Sequence, residues 1–575
     1  MKKDTYELKQ VLEYNSFFNE KKDLDIISVL KRYKRTTLVK MAAVLSHHYG
    51  NFEMPNNGKT FFSEKSQKHI VYVNEVFENY YNKINLNKNN TVIVSTYRTA
   101  LELWRLIFSI PVEEYSNTMP EEDEEFYLFK VILAINEKIF SFKKKTKKEI
   151  DELIFLNNFL NNDSNYYAYN EIMQSQMYYF YKLVNFIPQN EVMSRASDVL
   201  LSKWGITSWK QYYATILWLT KKTDEYFKNN QTGVPIVPLW NMMLNDETGL
   251  FSETLIESLC INEDDYISIE KVNTDYRQFR SKPFIKLKDG SGVIVINNQF
   301  LCERLYNSLY FDFMPLINGK KGSIGYFDYN KDFVEKVLFR ETFFKCLNDN
   351  VVTWPARNIH NEKEDRHEPD FYARYPNGEL LIMECKAIKM NGEIRDHADY
   401  DRLLDELHEK IVLKTRNIDS TRKEFKKDPE PIGIGQIINH IDSIEDYTFK
   451  WDNGIPDQVA YYPIIVFEDV RLLQPGLMSI LNKWFYEEIK KRKEIELKDV
   501  ACMPIIPVSI NTLYLYDDKI RNKELFRLID EYLILYAKDQ NDGSYAIKPI
   551  SDFDAYLRRL PFNKKNDIAK WLKGE

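Results

Sequence analysis

One hairpin-like segment constrains this chain more than any other. Residues 371–375 and 379–383 are two strand-like runs, and the Pro-Asn-Gly sequence at 376–378 separates them. Such runs around a turn sequence predict a β-hairpin. Because side chains alternate along a strand, we expect Glu384 and Lys386 on one face and Cys385 on the other.

The length of the turn decides whether Asp370 joins that face. A two-residue Asn-Gly turn would pair Asp370 with Cys385, whereas a three-residue Pro-Asn-Gly loop pairs it with Glu384. Proline suits the opening of a type I turn, and glycine suits the left-handed position that follows. We therefore predict the three-residue loop, with Asp370 opposite Glu384.

This register brings two carboxylates and an ammonium together on one patch of sheet, which is enough to hold a hard divalent cation and a water. The alternative is a surface hairpin with a cross-strand ion pair, which would stabilise the fold only slightly. Residues 380–383 make the second strand apolar on both faces, and charges at the end of such a strand need a partner. A metal ion is the simplest partner, so we favour a functional site.

Length and charge limit the class of protein. A chain of 575 residues predicts two to four domains, and a hydrophobic fraction of 44% argues against a largely disordered chain. The net charge of −7 restricts any nucleic-acid binding to local basic patches.

The cysteines and the apolar runs indicate the compartment. The five cysteines are scattered without a CxxC pair, which argues against a disulfide framework and a zinc ribbon and for a reducing cytoplasm. The amino terminus lacks the apolar segment of a signal peptide, and no run reaches the roughly 18 apolar residues of a membrane span. We expect a soluble cytoplasmic protein with no membrane partner.

The chain divides into three predicted regions. Residues 1–280 place apolar side chains at three- and four-residue spacing, which predicts a mainly helical accessory region that senses a signal or binds substrate. Residues 281–327 predict a β-hairpin and a helix that act as a connector.

Residues 328–575 predict an α/β domain in which a mixed sheet is covered by helices on both sides. The pattern here alternates a helix at 332–347, strands at 351–359 and 459–467, a helix that holds residues 435–440, and a strand at 503–514.

The order helix, strand, PD…ExK hairpin, helix, strand resembles the PD-(D/E)XK nuclease superfamily, the fold of many restriction endonucleases. The resemblance covers roughly residues 328–470 and extends at most to 540. A second Pro-Asp at Pro456-Asp457 has its nearest ExK in a predicted helix, so only the 369–386 match has the strand–turn–strand setting. The resemblance implies a restriction-endonuclease-like core preceded by the helical region.

The resemblance also implies roles for individual residues. Asp370 and Glu384 match the metal-binding acids, Lys386 matches the catalytic lysine, and the carbonyl of Cys385 would complete the metal ligands. Glu335 fits an acid that the family often places on the first core helix. The implied cofactor is Mg²⁺ or Mn²⁺.

Gln436 fits a glutamine that the family often places on the helix after the hairpin. The usual aromatic residue four positions later is replaced by His440. Five of the eight histidines lie between 360 and 440, but their spacing matches no zinc motif, and we favour scattered surface histidines over a zinc site.

A basic run follows the hairpin. It could track a phosphate backbone, or it could be the solvated face of a helix. The candidate nucleic-acid contacts in this run and beside the hairpin are Arg374, Lys389, Lys410, Lys414, Arg416, Arg422, Lys423, Lys426 and Lys427.

The expected activity is metal-dependent hydrolysis of nucleic-acid phosphodiesters, with DNA favoured over RNA as the partner. The lysine-, asparagine- and tyrosine-rich composition and the large accessory region look like those of bacterial anti-phage defence nucleases. Two alternatives stay open: an RNase of the same fold, and a non-catalytic nucleic-acid-binding or scaffold protein. A homo-oligomer or a partner protein of a defence system also stays open.

Overall fold

A computed structural model gives the fold. It describes residues 11–47, 52–54, 61–84, 92–140, 149–161, 169–229, 236–237, 252–268, 276–317, 327–356, 368–392, 400–416, 425–492, 501–539, 544–548 and 552–561. The chain forms two compact units: the first comprises Met1–Lys147, Leu160–Asn165 and Asp198–Asp312, and the second Lys148–Phe159, Tyr166–Ser197 and Phe313–Glu575.

The first unit is mainly helical, as predicted for this part of the chain. Its core is rich in aromatic side chains, with Phe17, Trp104, Phe108 and Phe129 almost fully buried. Strands Phe52–Met54 and Val92–Ser95 pair with each other, and a four-stranded sheet has the order Ile236–Val237, Val293–Val295, Phe284–Lys286, Cys260–Asn262. The helices are Tyr14–Phe18, Ile26–Leu30, Arg35–His47, Gln67–Ile84, Tyr97–Phe108, Glu124–Phe140, Trp209–Asn229, Glu253–Ser258, Arg277–Ser281 and Asn298–Glu303.

The second unit is mixed α/β. Its helices are Tyr169–Phe186, a π-helix at Tyr329–Phe339, Arg340–Phe344, Tyr400–Ile411, Ile434–Glu445, Leu477–Arg492, Ile510–Leu515, Asp517–Lys523, Leu525–Tyr536 and Phe553–Leu557. Two small hairpins pair Leu413–Arg416 with Phe425–Pro431 and Ala537–Asp539 with Tyr545–Ile547. Three helices contain a boundary between the two units in the sequence: Ile150–Asn161, Glu191–Lys203 and Leu309–Ile317.

The observed division does not coincide with the predicted boundaries. The hairpin of Phe284–Lys286 and Val293–Val295 belongs to the sheet of the first unit, although we predicted a connector there. Helix Tyr169–Phe186 belongs to the second unit, because the ring of Tyr178 stacks on Tyr514 with centroids 3.9 Å apart. Packing between segments so distant in sequence leaves no local signal from which a boundary could be read.

The second unit is built around a five-stranded mixed sheet. The strand order is Ile506–Ser509, Ala460–Phe467, Glu379–Lys386, Phe371–Arg374, Val352–Trp354. Ala460–Phe467 is parallel to both of its neighbours, and Phe371–Arg374 is antiparallel to both of its neighbours. Residues 380–383 are fully buried on both faces of the sheet. Their burial is the reason for the continuous apolar run in the sequence.

The hairpin has the predicted register. Phe371 pairs with Met383 and Arg374 with Leu380, which puts Asp370 opposite Glu384 just beyond the last pair. The N–H of Gly378 donates to the carbonyl of Tyr375 at 3.1 Å, so residues 376–378 form the loop. Gly378 has a φ of 94°, the left-handed conformation that the three-residue loop requires. The prediction from turn chemistry is therefore confirmed.

Gly378 also allows a close approach of two backbones. A Cβ at this position would lie 2.8 Å from the carbonyl oxygen of Gln458. Gly378→Ala should therefore lower stability by about 2–3 kcal/mol, from left-handed strain and the clash together. Gly290 is a matched control, since its φ is also positive but no described atom lies within 4 Å of its Cβ position. Thermal unfolding should show a clearly smaller loss for Gly290→Ala, and equal losses would contradict the close-approach argument.

Candidate active site

The strand Glu379–Lys386 ends in a cluster of polar side chains. Lys386 Nζ lies 3.1 Å from Glu384 Oε2 and 4.0 Å from Asp370 Oδ2. The same ammonium donates to Gln436 Oε1 at 3.1 Å. The hairpin register and the alternation of the strand therefore bring the three motif side chains together, and the following helix adds the glutamine.

Glu384 is the most buried acid of the cluster. Its side chain is fully inaccessible, and its two oxygens have different neighbours. Oε2 faces Lys386, whereas Oε1 faces His440 Nε2 at 3.5 Å and has no hydrogen-bond partner among the described residues. Burial alone would raise the pKa of Glu384, but the Lys386 ammonium and His440 outweigh it and hold that pKa below its ordinary value.

Asp370 has the opposite electrostatic environment. Burial raises its pKa well above the ordinary value, and the neighbouring carboxylates of Glu384 and Glu335 raise it further. Cys385 N–H donates to Asp370 Oδ2 at 2.8 Å, which fixes the carboxylate beside the strand. Arg340 Nε donates to the carbonyl oxygen of Asp370 at 3.2 Å. The protein thus holds Asp370 rigidly in a site where negative charge is unfavourable without a cation.

Glu335 lies within electrostatic range of this cluster, on the π-helix. Burial and the nearby Glu384 carboxylate raise the pKa of Glu335 to about 7, against the opposing effect of Lys386. The N–H of Arg340 bonds to the carbonyl of Glu335, so the two residues stand one wide turn apart. This winding explains how one helix supplies both the acid and the arginine that binds the Asp370 backbone.

The helix Ile434–Glu445 begins beside Lys386. Gln436 Oε1 also accepts a hydrogen bond from the N–H of Gly433 at 2.8 Å, which fixes the amide toward the lysine. Gly433 has a positive φ of 47°, and a Cβ there would lie 2.4 Å from the carbonyl oxygen of Ile411 and 3.2 Å from Lys386 Cε. Glycine at the start of this helix therefore allows the Ile411 backbone and the aliphatic part of the Lys386 side chain to approach closely.

Lys386 is held as a cation. Burial alone would lower its pKa, but the carboxylates of Glu384, Asp370 and Glu335 outweigh burial and raise it. The three surrounding carboxylates therefore favour the charged ammonium form of this lysine.

The donor set fits a divalent cation in two respects. Glu384 Oε1 is a buried oxygen without a hydrogen-bond partner in the described part of the chain, and burial together with the neighbouring carboxylates raises the pKa of Asp370. Hard cations such as Mg²⁺ take carboxylate oxygens of this kind. No three His, Cys, Asp or Glu side chains among the described residues form a ready-made metal site, and the Lys386 ammonium lies 3.1 Å from Glu384 and 4.0 Å from Asp370. The Cys385 carbonyl as a further ligand stays a prediction.

Two candidate phosphate contacts are engaged in ion pairs within the protein. Arg374 forms a two-pronged pair with Asp452, with Nε–Oδ2 at 2.5 Å and Nη2–Oδ1 at 3.2 Å. Lys389 Nζ lies 2.6 Å from Glu468 Oε2. Both side chains are therefore engaged within the protein, and their contact with phosphate stays a prediction.

The rest of the basic run begins on a helix and continues into a hairpin, so it does not form one solvated helix. Lys410 lies in the last turn of Tyr400–Ile411 and pairs with Glu406, and Lys414 is half-buried on the strand Leu413–Arg416. Arg416, Lys426 and Lys427 stand on the two strands of this hairpin, with side chains that the structure does not describe. Arg422 and Lys423 lie outside the described residues.

A structural role for Arg374 makes a specific prediction. Lysine cannot reproduce the two parallel hydrogen bonds to Asp452, so Arg374→Lys should lower stability by about 1–2 kcal/mol. Thermal unfolding measures this loss, and fluorescence anisotropy with labelled DNA should show less than a twofold change in affinity. Arg195→Lys, at an exposed arginine of the helix Glu191–Lys203, is the control and should change neither quantity. A large loss of DNA affinity at unchanged stability would restore Arg374 as a phosphate contact.

His440 is the site residue that sequence considerations missed. Its side chain is buried, with ring edges against Phe449 and Trp451 and with Nε2 directed at Glu384. The signal was its position one helical turn after Gln436, which puts both side chains on the same face of the helix.

The comparisons with known proteins identify no relative of this chain. No family model matches this chain, and neither a curated protein nor a solved structure is significantly similar to it. Within the described residues, no helix combines the length and the apolar character needed to cross a membrane.

Proposed function

We propose that this protein is a metal-dependent nuclease whose active site is the cluster of Asp370, Glu384 and Lys386. One observation carries the proposal. The three-residue loop sets a register in which two carboxylates and an ammonium meet at the end of a buried strand, with Glu384 fully buried. A buried charge lowers stability unless it is paired and hydrogen-bonded, and an ion pair that only linked two strands would not need full burial.

The strand arrangement supports the proposal. A three-stranded antiparallel segment carries the motif, and the next strand, Ala460–Phe467, adds to Glu379–Lys386 in parallel after the helix Ile434–Glu445. This is the order that the resemblance to the PD-(D/E)XK nucleases implies. The site lies where the parallel strands end, beside a helix start, which is a common position for ligands in such sheets.

The chemistry follows from the charges. Hydrolysis breaks one P–O ester bond while a water oxygen bonds to phosphorus, the water loses a proton, and the leaving oxygen gains one. A bound Mg²⁺ or Mn²⁺ would supply charge neutralisation and activation of water. Asp370 and Glu384 would hold that cation, and the Lys386 ammonium would stabilise negative charge that grows on the phosphoryl oxygens. Gln436 keeps the lysine in position through its 3.1 Å hydrogen bond.

A substrate panel tests the proposal. The purified chain is incubated with supercoiled plasmid, single-stranded DNA and RNA, each with Mg²⁺, with Mn²⁺ and with EDTA. We expect cleavage of DNA with the metals and none with EDTA. Cleavage of RNA alone would assign an RNase of the same fold. Binding without cleavage on every substrate would contradict the nuclease proposal and favour a binding or scaffold protein.

The preference for DNA and a role in bacterial anti-phage defence rest on the resemblance and on the composition. Both are parts of the same proposal, and the substrate panel tests the preference for DNA.

A further inference from the structure

Two buried polar atoms of the candidate active site face each other without a short hydrogen bond. His440 Nε2 and Glu384 Oε1 lie 3.5 Å apart, and neither has a hydrogen-bond partner among the described residues. An N–H···O hydrogen bond is normally about 2.7–3.2 Å long, so this pair is too far apart for a good one. Two adjacent unsatisfied groups are costly in an interior, and they usually indicate a function.

The distance fits two ligands of one metal ion. Nitrogen and oxygen ligands each about 2.1 Å from an ion are about 3.0 Å apart at a right angle and about 3.4 Å apart at a tetrahedral angle. The imidazole is also directed by its surroundings, because it makes T-shaped ring contacts with Phe449 and Trp451. Ring packing therefore holds the histidine with Nε2 toward Glu384, at a distance that is long for a hydrogen bond.

We propose that His440 is a nitrogen ligand of the active-site cation, which makes the site selective for Mn²⁺ or another transition metal over Mg²⁺. The inference deepens the proposed function and rests on it. Carboxylate oxygens suit both Mg²⁺ and Mn²⁺, whereas an imidazole nitrogen is a softer ligand that binds transition metals more readily than Mg²⁺. One histidine among acids therefore shifts the preference away from Mg²⁺. Glu384 would then bind the ion through Oε1 and keep Oε2 for Lys386.

Metal binding tests this without any cleavage assay. Pulsed EPR of the whole chain loaded with Mn²⁺ reports a nitrogen nucleus bound to the ion, and calorimetry measures affinity for Mn²⁺ and for Mg²⁺. We expect a nitrogen coupling in the unmodified protein. His440→Phe keeps an aromatic ring against Phe449 and Trp451, and it should abolish the coupling and weaken Mn²⁺ binding at least tenfold, with less than a threefold change for Mg²⁺.

The control is His408→Gln, a half-buried histidine on the helix Tyr400–Ile411 that packs against Trp484. It should leave the coupling and both affinities unchanged. Because the coupling is read in the unmodified chain, the test holds even where His440→Phe fails to fold.

Three outcomes distinguish the claims. If Mn²⁺ binds, is lost in Asp370→Asn, and shows no nitrogen coupling, the histidine ligand is overturned while the metal site stands. If no Mn²⁺ binds, or binding does not depend on Asp370, both the ligand and the proposed function are overturned. Equal losses of Mn²⁺ and Mg²⁺ affinity in His440→Phe would mean that the histidine only positions Glu384, and that result also overturns the selectivity.

Discussion

Asp370→Asn should reduce metal-dependent cleavage roughly 10³-fold while leaving the protein folded, because it removes one of two acids that would hold the cation. The amide keeps an oxygen that can accept the N–H of Cys385, so the local geometry is retained. Stability should not fall in the absence of metal, and it should rise slightly. The Asp370 carboxylate is destabilised there by burial and by Glu384 and Glu335, and the amide removes that charge.

The chain provides its own control for this substitution. Asp457 also follows a proline, but it is exposed in a loop. Asp457→Asn should leave both the cleavage rate and the thermal unfolding temperature unchanged. Cleavage rates on plasmid and unfolding of the metal-free protein are measured side by side. A rate loss accompanied by a lower unfolding temperature would point to a structural role for Asp370 instead.

Lys386→Met should destabilise the second unit by about 3–5 kcal/mol, because it leaves the fully buried Glu384 without its counter-charge. Adding Glu384→Gln should recover most of that loss, since a neutral pair of similar volume carries no buried charge. Native-state hydrogen exchange of the amides in Glu379–Lys386 measures the local free energy of opening.

An exposed ion pair calibrates this prediction. Lys65 and Glu121 pair on the surface, with side chains 67% and 70% exposed. Lys65→Met should cost less than about 1 kcal/mol, measured at the amides of Gln67–Ile84. If Lys386→Met lowers the free energy of opening no more than Lys65→Met does, Lys386 does not act as the counter-charge of a buried Glu384 carboxylate.

Local chemistry predicted part of this arrangement. The choice of a three-residue loop followed from proline and glycine at fixed positions, and it correctly set Asp370 opposite Glu384. The loop and the register depend on residues that are close in sequence. Gln436 was predicted from the family resemblance instead, and its amide does contact Lys386, 50 positions away in the sequence.

Other features depend on packing that the sequence does not display. A strand was predicted at 503–514, but only Ile506–Ser509 is extended, since Ser509 accepts the N–H of Thr512 and starts a helix. The predicted helix at 332–347 begins as a π-helix, and only that winding relates Glu335 to Arg340. Arg374 pairs with Asp452, which lies 78 positions away in the sequence. Because the sequence does not display this pairing, the positive charge of Arg374 suggested a phosphate contact.

Cleavage of supercoiled plasmid by the unmodified chain and by the double variant Asp370→Ala/Lys386→Ala, each with Mg²⁺ or Mn²⁺ and then with EDTA, tests the central claim most directly. Circular dichroism confirms that the double variant is folded before the comparison. We predict that the unmodified chain converts plasmid to nicked or linear products only with metal, and that the double variant gives none above background. Undiminished cleavage by the folded double variant would contradict the assignment of the active site to this hairpin.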